Sequence, residues 1–340
     1  MADQNPLQVM PSMAGDLARV EAELIDSVRS GDDFLTEISS HLIAAGGKRV
    51  RPGFCIAAAA TALTVDAPAG AAAVTGGVAV ELVHLGSLYH DDVMDEAEMR
   101  RTVDSVNARW GNLKAILAGD FLLARASELA AGLGVEVAGL LAATIGRLCE
   151  GQILELRHAH DLGRTEASYL RAIDGKTASL LASACRIGGI VAELPRAHTD
   201  ALTEFGLSYG MAFQLVDDVL DLVATEAVLG KPAGHDLEEG VYTLPVIHTL
   251  ASPAGTELAA LLGTSLLADR SDAALLDPDD RDRAIQIVRD GDGIDRTIAA
   301  ARAFADRGRA ALAQLPDSPG VTGLSAAADY LLDNVEAAAA

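Results

Sequence analysis

Aromatic residues make up only 4% of this 340-residue chain, with a single tryptophan. No segment alternates apolar and polar residues convincingly, so little material exists for sheets, whereas abundant Ala and Leu favours helices. Basic residues are outnumbered, 26 Lys and Arg against 49 Asp and Glu, for a formal charge of −23. That field repels a phosphate backbone and argues against nucleic acid as a partner. The three cysteines, Cys55, Cys149 and Cys185, are far apart and form no CxxC pair, which leaves neither a disulfide framework nor a zinc site. Long apolar runs are missing too: those at 56–65 and 71–80 meet Gly, Pro or polar residues before the ~18 residues of a membrane span. No basic segment followed by an apolar one opens the chain. The expectation is a cytoplasmic protein with at most transient membrane contact.

Half of the residues are hydrophobic, enough for a large core. Helical patterning is punctuated at 67–70, 132–134, 160–164, 193–195, 230–240, 252–255 and 316–320. The reading is an all-α chain: a loose polar segment at 1–13, then one domain over 14–340 with about ten to thirteen helices. The stretch 17–45 reads as one amphipathic helix stopped by Gly46-Gly47. A basic turn, GGKRVRP at 46–52, then leads into the next helix, with Pro52 in its first turn.

Two pentads of the form Asp-Asp-x-x-Asp stand out, at 91–95 and 217–221. Carboxylates at i and i+4 share one helix face. Two such pairs facing each other are tolerable only with cations between them, and Mg²⁺ bridging a phosphate-bearing substrate is the natural filling. One pentad alone would read as a solvated, salt-bridged surface; the second tips the balance. His84 lies two turns before Asp91 on its face, and Arg100 and Arg101 close the same run. Around the second pentad, Gln214 sits one turn earlier, and Lys231 follows in a Gly- and Pro-containing loop.

With AGD at 118–120, GQ at 151–152, DGKTASL at 174–180, GKPAGHDLEEG at 230–240 and TLP at 243–245, this constellation resembles the trans-isoprenyl diphosphate synthases, the polyprenyl synthetase family. The resemblance runs from about residue 44 to the last helix. It implies a bundle of long helices around a central cavity, the isoprenoid synthase fold, usually as a homodimer. It further implies three Mg²⁺ held by Asp91, Asp95 and Asp217, with Asp92 and Asp221 as accessory carboxylates. Arg100, Lys176, Thr177, Gln214 and Lys231 would hold an allylic diphosphate, and Lys48, Arg51, His84 and Arg101 the isopentenyl diphosphate. Two positions depart from the family pattern: Glu238 and Val241 stand where basic residues are common.

Gly86 and Ser87, five and four residues before Asp91, fall roughly 6–8 Å below the metals at ~1.5 Å per residue. Without bulk there, the tunnel for the growing chain should continue. The segment HLGSLYHDD looks most like long-chain polyprenyl synthases that serve quinone side chains, with a geranylgeranyl diphosphate synthase as the alternative. A terpene cyclase would need neither an Asp-rich second motif nor the second cationic pocket, and a regulatory subunit would commonly lack one pentad.

Overall fold

The computed structural model describes residues 5–223, 234–264 and 276–339. In chain order the helices are α1 (Met13–Ser27), α2 (Asp33–Ala44), α3 (Val50–Ala59), α4 (Ala71–Met94), α5 (Val106–Trp110), α6 (Asn112–Leu133), α7 (Val135–Arg157), α8 (Glu166–Ile173), α9 (Ser179–Val191), α10 (Arg196–Val223), α11 (His235–Glu238), α12 (Leu244–Leu250), α13 (Gly255–Thr264), α14 (Pro278–Asp290), α15 (Gly293–Leu312) and α16 (Pro319–Ala339). A five-residue π-turn, Asp174–Ala178, joins α8 to α9. The strands among the described residues are two antiparallel pairs of residues, β1 (Met99–Arg100) and β2 (Val103–Asp104). The all-α reading therefore holds, with sixteen helices among the described residues where about ten to thirteen were expected.

α4 forms the axis of the bundle and packs against α1, α3, α6 and α9. Its length and composition would allow it to cross a membrane, as would those of α7, but 67% of its apolar window is buried inside the protein. α10 lies between α9 and α15. Small residues let these helices approach: a Cβ on Gly188 of α9 would stand 2.2 Å from the Cys55 carbonyl oxygen of α3. Side chains on both sides of such crossings interdigitate, so the site helices are fixed along their whole length.

Three details differ from the sequence reading. Residues 6–13 are not loose. Leu7, Met10 and Met13 are buried in the core, because a 3₁₀ turn at Pro6–Val9 lays them against α3 and α16. The stretch 17–45 is two helices, not one: Asp32 accepts a hydrogen bond from Leu35 N–H at 3.0 Å and caps α2. The first acidic helix stops at Met94, and Arg100 and Arg101 lie on the hairpin that follows.

Candidate active site

Both pentads occupy the C-terminal ends of long helices, α4 and α10. Partial negative charge from the backbone gathers there, so carboxylates at these ends are unfavourable until cations arrive. Burial pushes Asp91 up to about 6, with Asp95 and Glu155 adding to the rise against the opposing pull of Lys176 and Arg100. Asp95, the C-cap residue, is also raised, first by burial and then by Glu239.

The middle carboxylates turn inward. Asp92 is fully buried and accepts a hydrogen bond from Arg100 Nε at 2.6 Å. Asp218 is buried and accepts from the Tyr169 hydroxyl and, at 2.9 Å, from Gln214 Nε2. Asp221, buried, accepts the Asp236 N–H at 3.4 Å and so fixes the start of α11.

The π-turn links the two pentads. A Cβ on Gly151 of α7 would meet Lys176 N at 2.5 Å, and one on Gly175 would meet the Arg147 carbonyl oxygen at 2.7 Å. This glycine-on-glycine contact lets the turn lie directly on α7. The wide turn then carries Lys176 toward Asp91 and Asp95, and Thr177 toward α10, where its hydroxyl donates to Gln214 Oε1 at 2.8 Å. Burial alone would lower Lys176. The carboxylates of Glu155, Asp91 and Asp95 reverse that and raise it, so it is a committed cation. Its Nζ donates to Glu155.

Further back along the same face of α4, Lys48, Arg51, His84 and Arg101 line a single cavity of about 660 Å³, with Phe213 of α10. All four predicted residues of the second substrate site thus share one space. Gly46 and Gly47 adopt positive φ, 82° and 151°, which lets the Arg101 guanidinium lie against that turn and donate to the Gly46 and Leu42 carbonyls. Arg49, itself at φ 49°, is buried and pairs with Glu21 at 2.5 Å and Glu81 at 2.9 Å. Glu81, also buried, stands 3.9 Å from Arg101. One carboxylate therefore offsets a wall of arginines. His84 is driven well below its usual range by burial, then by Arg51, Arg101, Arg49 and Arg100, so it is neutral at physiological pH. Arg51 Nε is buried without a hydrogen-bond partner among the described residues, which suits an incoming anion.

Sequence reasoning missed Glu81, Glu155, Tyr169 and Asp218, single residues whose roles depend on long-range packing. Lys231 lies outside the described residues. Glu238 is used structurally, accepting from Arg281 Nη1 of α14 at 2.6 Å. The absence of bulk at Gly86 serves a helix crossing rather than a tunnel wall: a Cβ there would stand 3.1 Å from the Gly119 carbonyl oxygen and from Leu123 Cγ on α6. Ser87, half-buried, lies one turn before Asp91 on its face, with its hydroxyl donating to the His84 carbonyl at 2.9 Å.

The donor set fits hard divalent cations. It consists of carboxylate oxygens, one of which, Asp92 Oδ2, is buried without a hydrogen-bond partner among the described residues. Among the described residues, no three such groups close a coordination sphere by themselves. Metals held here would complete their shells with water or phosphate oxygens.

The polyprenyl synthetase family model matches residues 32–274. A nonaprenyl diphosphate synthase of Mycobacterium tuberculosis is 38% identical over 316 residues, covering 92% of this chain and 91% of that protein. A decaprenyl diphosphate synthase from Rhodobacter capsulatus superposes with a TM-score of 0.85 at 34% identity, over 96% of this chain and 98% of that one. A polyprenyl synthase from Caulobacter crescentus, crystallised with calcium and isoprenyl diphosphate, gives 0.84 at 34% identity over 94% of each chain.

The His84 environment makes a pH prediction. A histidine held below its unfolded value of about 6.5 binds fewer protons folded than unfolded once the pH drops past that value. Folded stability should therefore fall as pH is lowered through ~6.5 toward 5. In His84→Asn that part of the decline should vanish, so the gap in melting temperature between variant and wild type should shift in the variant's favour at low pH. A pH-independent gap would contradict the assignment.

Proposed function

Because the chain belongs to the polyprenyl synthetase family, we propose that it condenses isopentenyl diphosphate with an allylic diphosphate, head to tail and trans, to build a long polyprenyl diphosphate of the kind used for quinone side chains. The observation that carries this reading is the pairing of two sites along α4: the carboxylate cleft, and the cavity where Lys48, Arg51, His84 and Arg101 meet. A cyclase, with one diphosphate to hold, has no use for the second.

Asp91, Asp95 and Asp217 would hold the Mg²⁺ ions, three in our reading, with Asp92 and Asp221 supporting them. Bound there, the metals supply charge to the departing diphosphate. The chain's own groups do the rest. Lys176, permanently charged, and Arg100, braced on Asp92, stand beside the same oxygens, where negative charge grows as the allylic C–O bond breaks. Gln214, oriented by Thr177 and Asp218, presents a fixed amide. Neutral His84 donates or accepts one hydrogen bond without adding charge next to the arginines. The allylic C–O bond breaks to release diphosphate and leave a carbocation, the isopentenyl double bond attacks that cation, and the proton lost from the isopentenyl unit passes to the released diphosphate. The apolar α4 face below keeps water from the cation. We place the reaction in the cytoplasm, with brief membrane contact when the apolar product departs.

We further propose a homodimer joined through α7. Val135, Gly139, Ala142, Gly146, Cys149, Ile153 and Leu156 recur at alternating spacings of four and three and are all exposed, Val135 at 90%. Only 22% of the helix's apolar window is buried. Gly139 and Gly146 face open space; each mid-helix glycine costs about 1 kcal/mol relative to Ala, a cost that close approach of a second copy would offset.

Purified protein with labelled isopentenyl diphosphate, an allylic primer and Mg²⁺ should yield elongated diphosphates. Chelation should abolish turnover, and Asp91→Asn should lower kcat by about 100-fold or more, ~3 kcal/mol of transition-state stabilisation. Hydrocarbon products, or none, would defeat the reading. On product length, Ser87→Phe should shorten the chain by several isoprene units while turnover persists; an unchanged product ladder would remove Ser87 from the tunnel wall. On assembly, sedimentation should give twice the 35.1 kDa chain mass, and Gly146→Arg should halve it. A monomeric wild type would end the dimer proposal.

A further inference from the structure

Asn5 lies 43 residues before Lys48, yet it touches the turn that supplies two cations to the 660 Å³ cavity. It is buried, at 5% exposure. Its Oδ1 accepts from Leu7 N–H at 2.9 Å and caps the 3₁₀ turn at Pro6–Val9. Its Nδ2 donates to the Lys48 carbonyl at 2.8 Å and the Arg49 carbonyl at 3.3 Å. The orientation of the amide is fixed by this pattern: reversed, it would set oxygen against two carbonyls and NH₂ against an N–H.

The contact is built rather than incidental. A Cβ on Gly53 would stand 2.8 Å from Leu7 Cδ1 and 3.2 Å from Asn5 Nδ2. Only glycine there lets the N-terminal segment lie flat on α3. Met10 packs under α16 at Gly323, which anchors the far end of the segment. Arg49 needs such a hold: its backbone is left-handed at φ 49°, a conformation that costs a non-glycine residue on the order of 1 kcal/mol.

We propose that Asn5 is a positioning residue for the isopentenyl diphosphate pocket. The N-terminal segment acts as a strap. Its amide clamps the Lys48–Arg49 peptide carbonyls so that the Lys48 ammonium, and Arg51 one turn further on, face the cavity. Arg49, held by the same clamp, keeps Glu81 in place against Arg101. The strap does not reach the carboxylate cleft, where the allylic diphosphate binds. Its effect is therefore confined to one of two substrates.

This inference rests on the proposed reaction, and the test separates the two. Wild type is assayed first; failure to elongate a primer would sink the reaction itself. Given elongation, Asn5→Ala and Asn5→Asp are compared under saturating Mg²⁺. Asn5→Asp keeps the cap on Leu7 N–H and the shape while losing the donor, and it serves if the alanine variant does not fold. The expected result is a KM for isopentenyl diphosphate raised at least fivefold, with KM for the allylic primer and kcat within twofold. KM does not depend on the fraction of folded enzyme, so general destabilisation cannot imitate this split. Leu7→Ala, which loosens strap packing but leaves the amide, should lower the melting temperature and leave the ratio of the two KM values unchanged. Equal changes in both KM values, or none in either, would overturn the assignment.

Discussion

The contact of Gly151 with Gly175 is the constraint on which the rest of the site depends. It brings a π-turn flush against α7, with Lys176 N only 2.5 Å from where a Cβ on Gly151 would be. Consecutive side chains at positions 176 and 177 then serve different pentads. Lys176 faces Asp91 and Asp95, while Thr177 reaches Gln214 and, through it, Asp218. A regular helix here would keep the i→i−4 ladder but change the angle between these side chains and the cleft. The motif pieces GQ and DGKT are thus two halves of one packing device, far apart in sequence and pressed together in space.

Charge is handled the same way in the cleft and in the cavity. Cations of the cleft and the cavity rest on carboxylates: Lys176 on half-buried Glu155, Arg100 on buried Asp92, and Arg49 and Arg101 around buried Glu81. A lone buried guanidinium would be prohibitive, and removing one partner of a pair buried on both sides, as Arg49–Glu81 is, costs about 3–5 kcal/mol. The carboxylates therefore allow the protein to fold before any ligand arrives. They also limit flexibility, because each long side chain is held at its head group. Head groups held in this way would spare an incoming anion the cost of ordering them.

Much of this was legible in the sequence. Both pentads were read from their spacing, and the four residues that line the cationic cavity from the family resemblance. What was not legible has physical reasons. Asp32 capped α2 inside a pattern whose amphipathic period continues on both sides, so the break was masked. Residues 6–13 looked loose because two prolines interrupt the segment and Leu7, Met10 and Met13 are buried only once α3 and α16 are in place. Gly86 could be read either as open space or as a helix crossing; only Gly119, 33 residues away, decides it.

The doublet at the head of each pentad now has a mechanical explanation. Successive residues on an α-helix point about 100° apart, so Asp91 and Asp92 cannot both face the cleft. Asp92 turns into the core and anchors Arg100; Asp218, its counterpart, turns inward to hold Tyr169 and Gln214. Each doublet therefore pairs a more exposed carboxylate with a buried one that holds a neighbouring side chain. Exchanging a brace for an apolar residue would leave the carboxylate count in the cleft intact. It would nonetheless free the arginine or glutamine that it holds, because removing one partner of a buried hydrogen bond leaves the other unsatisfied.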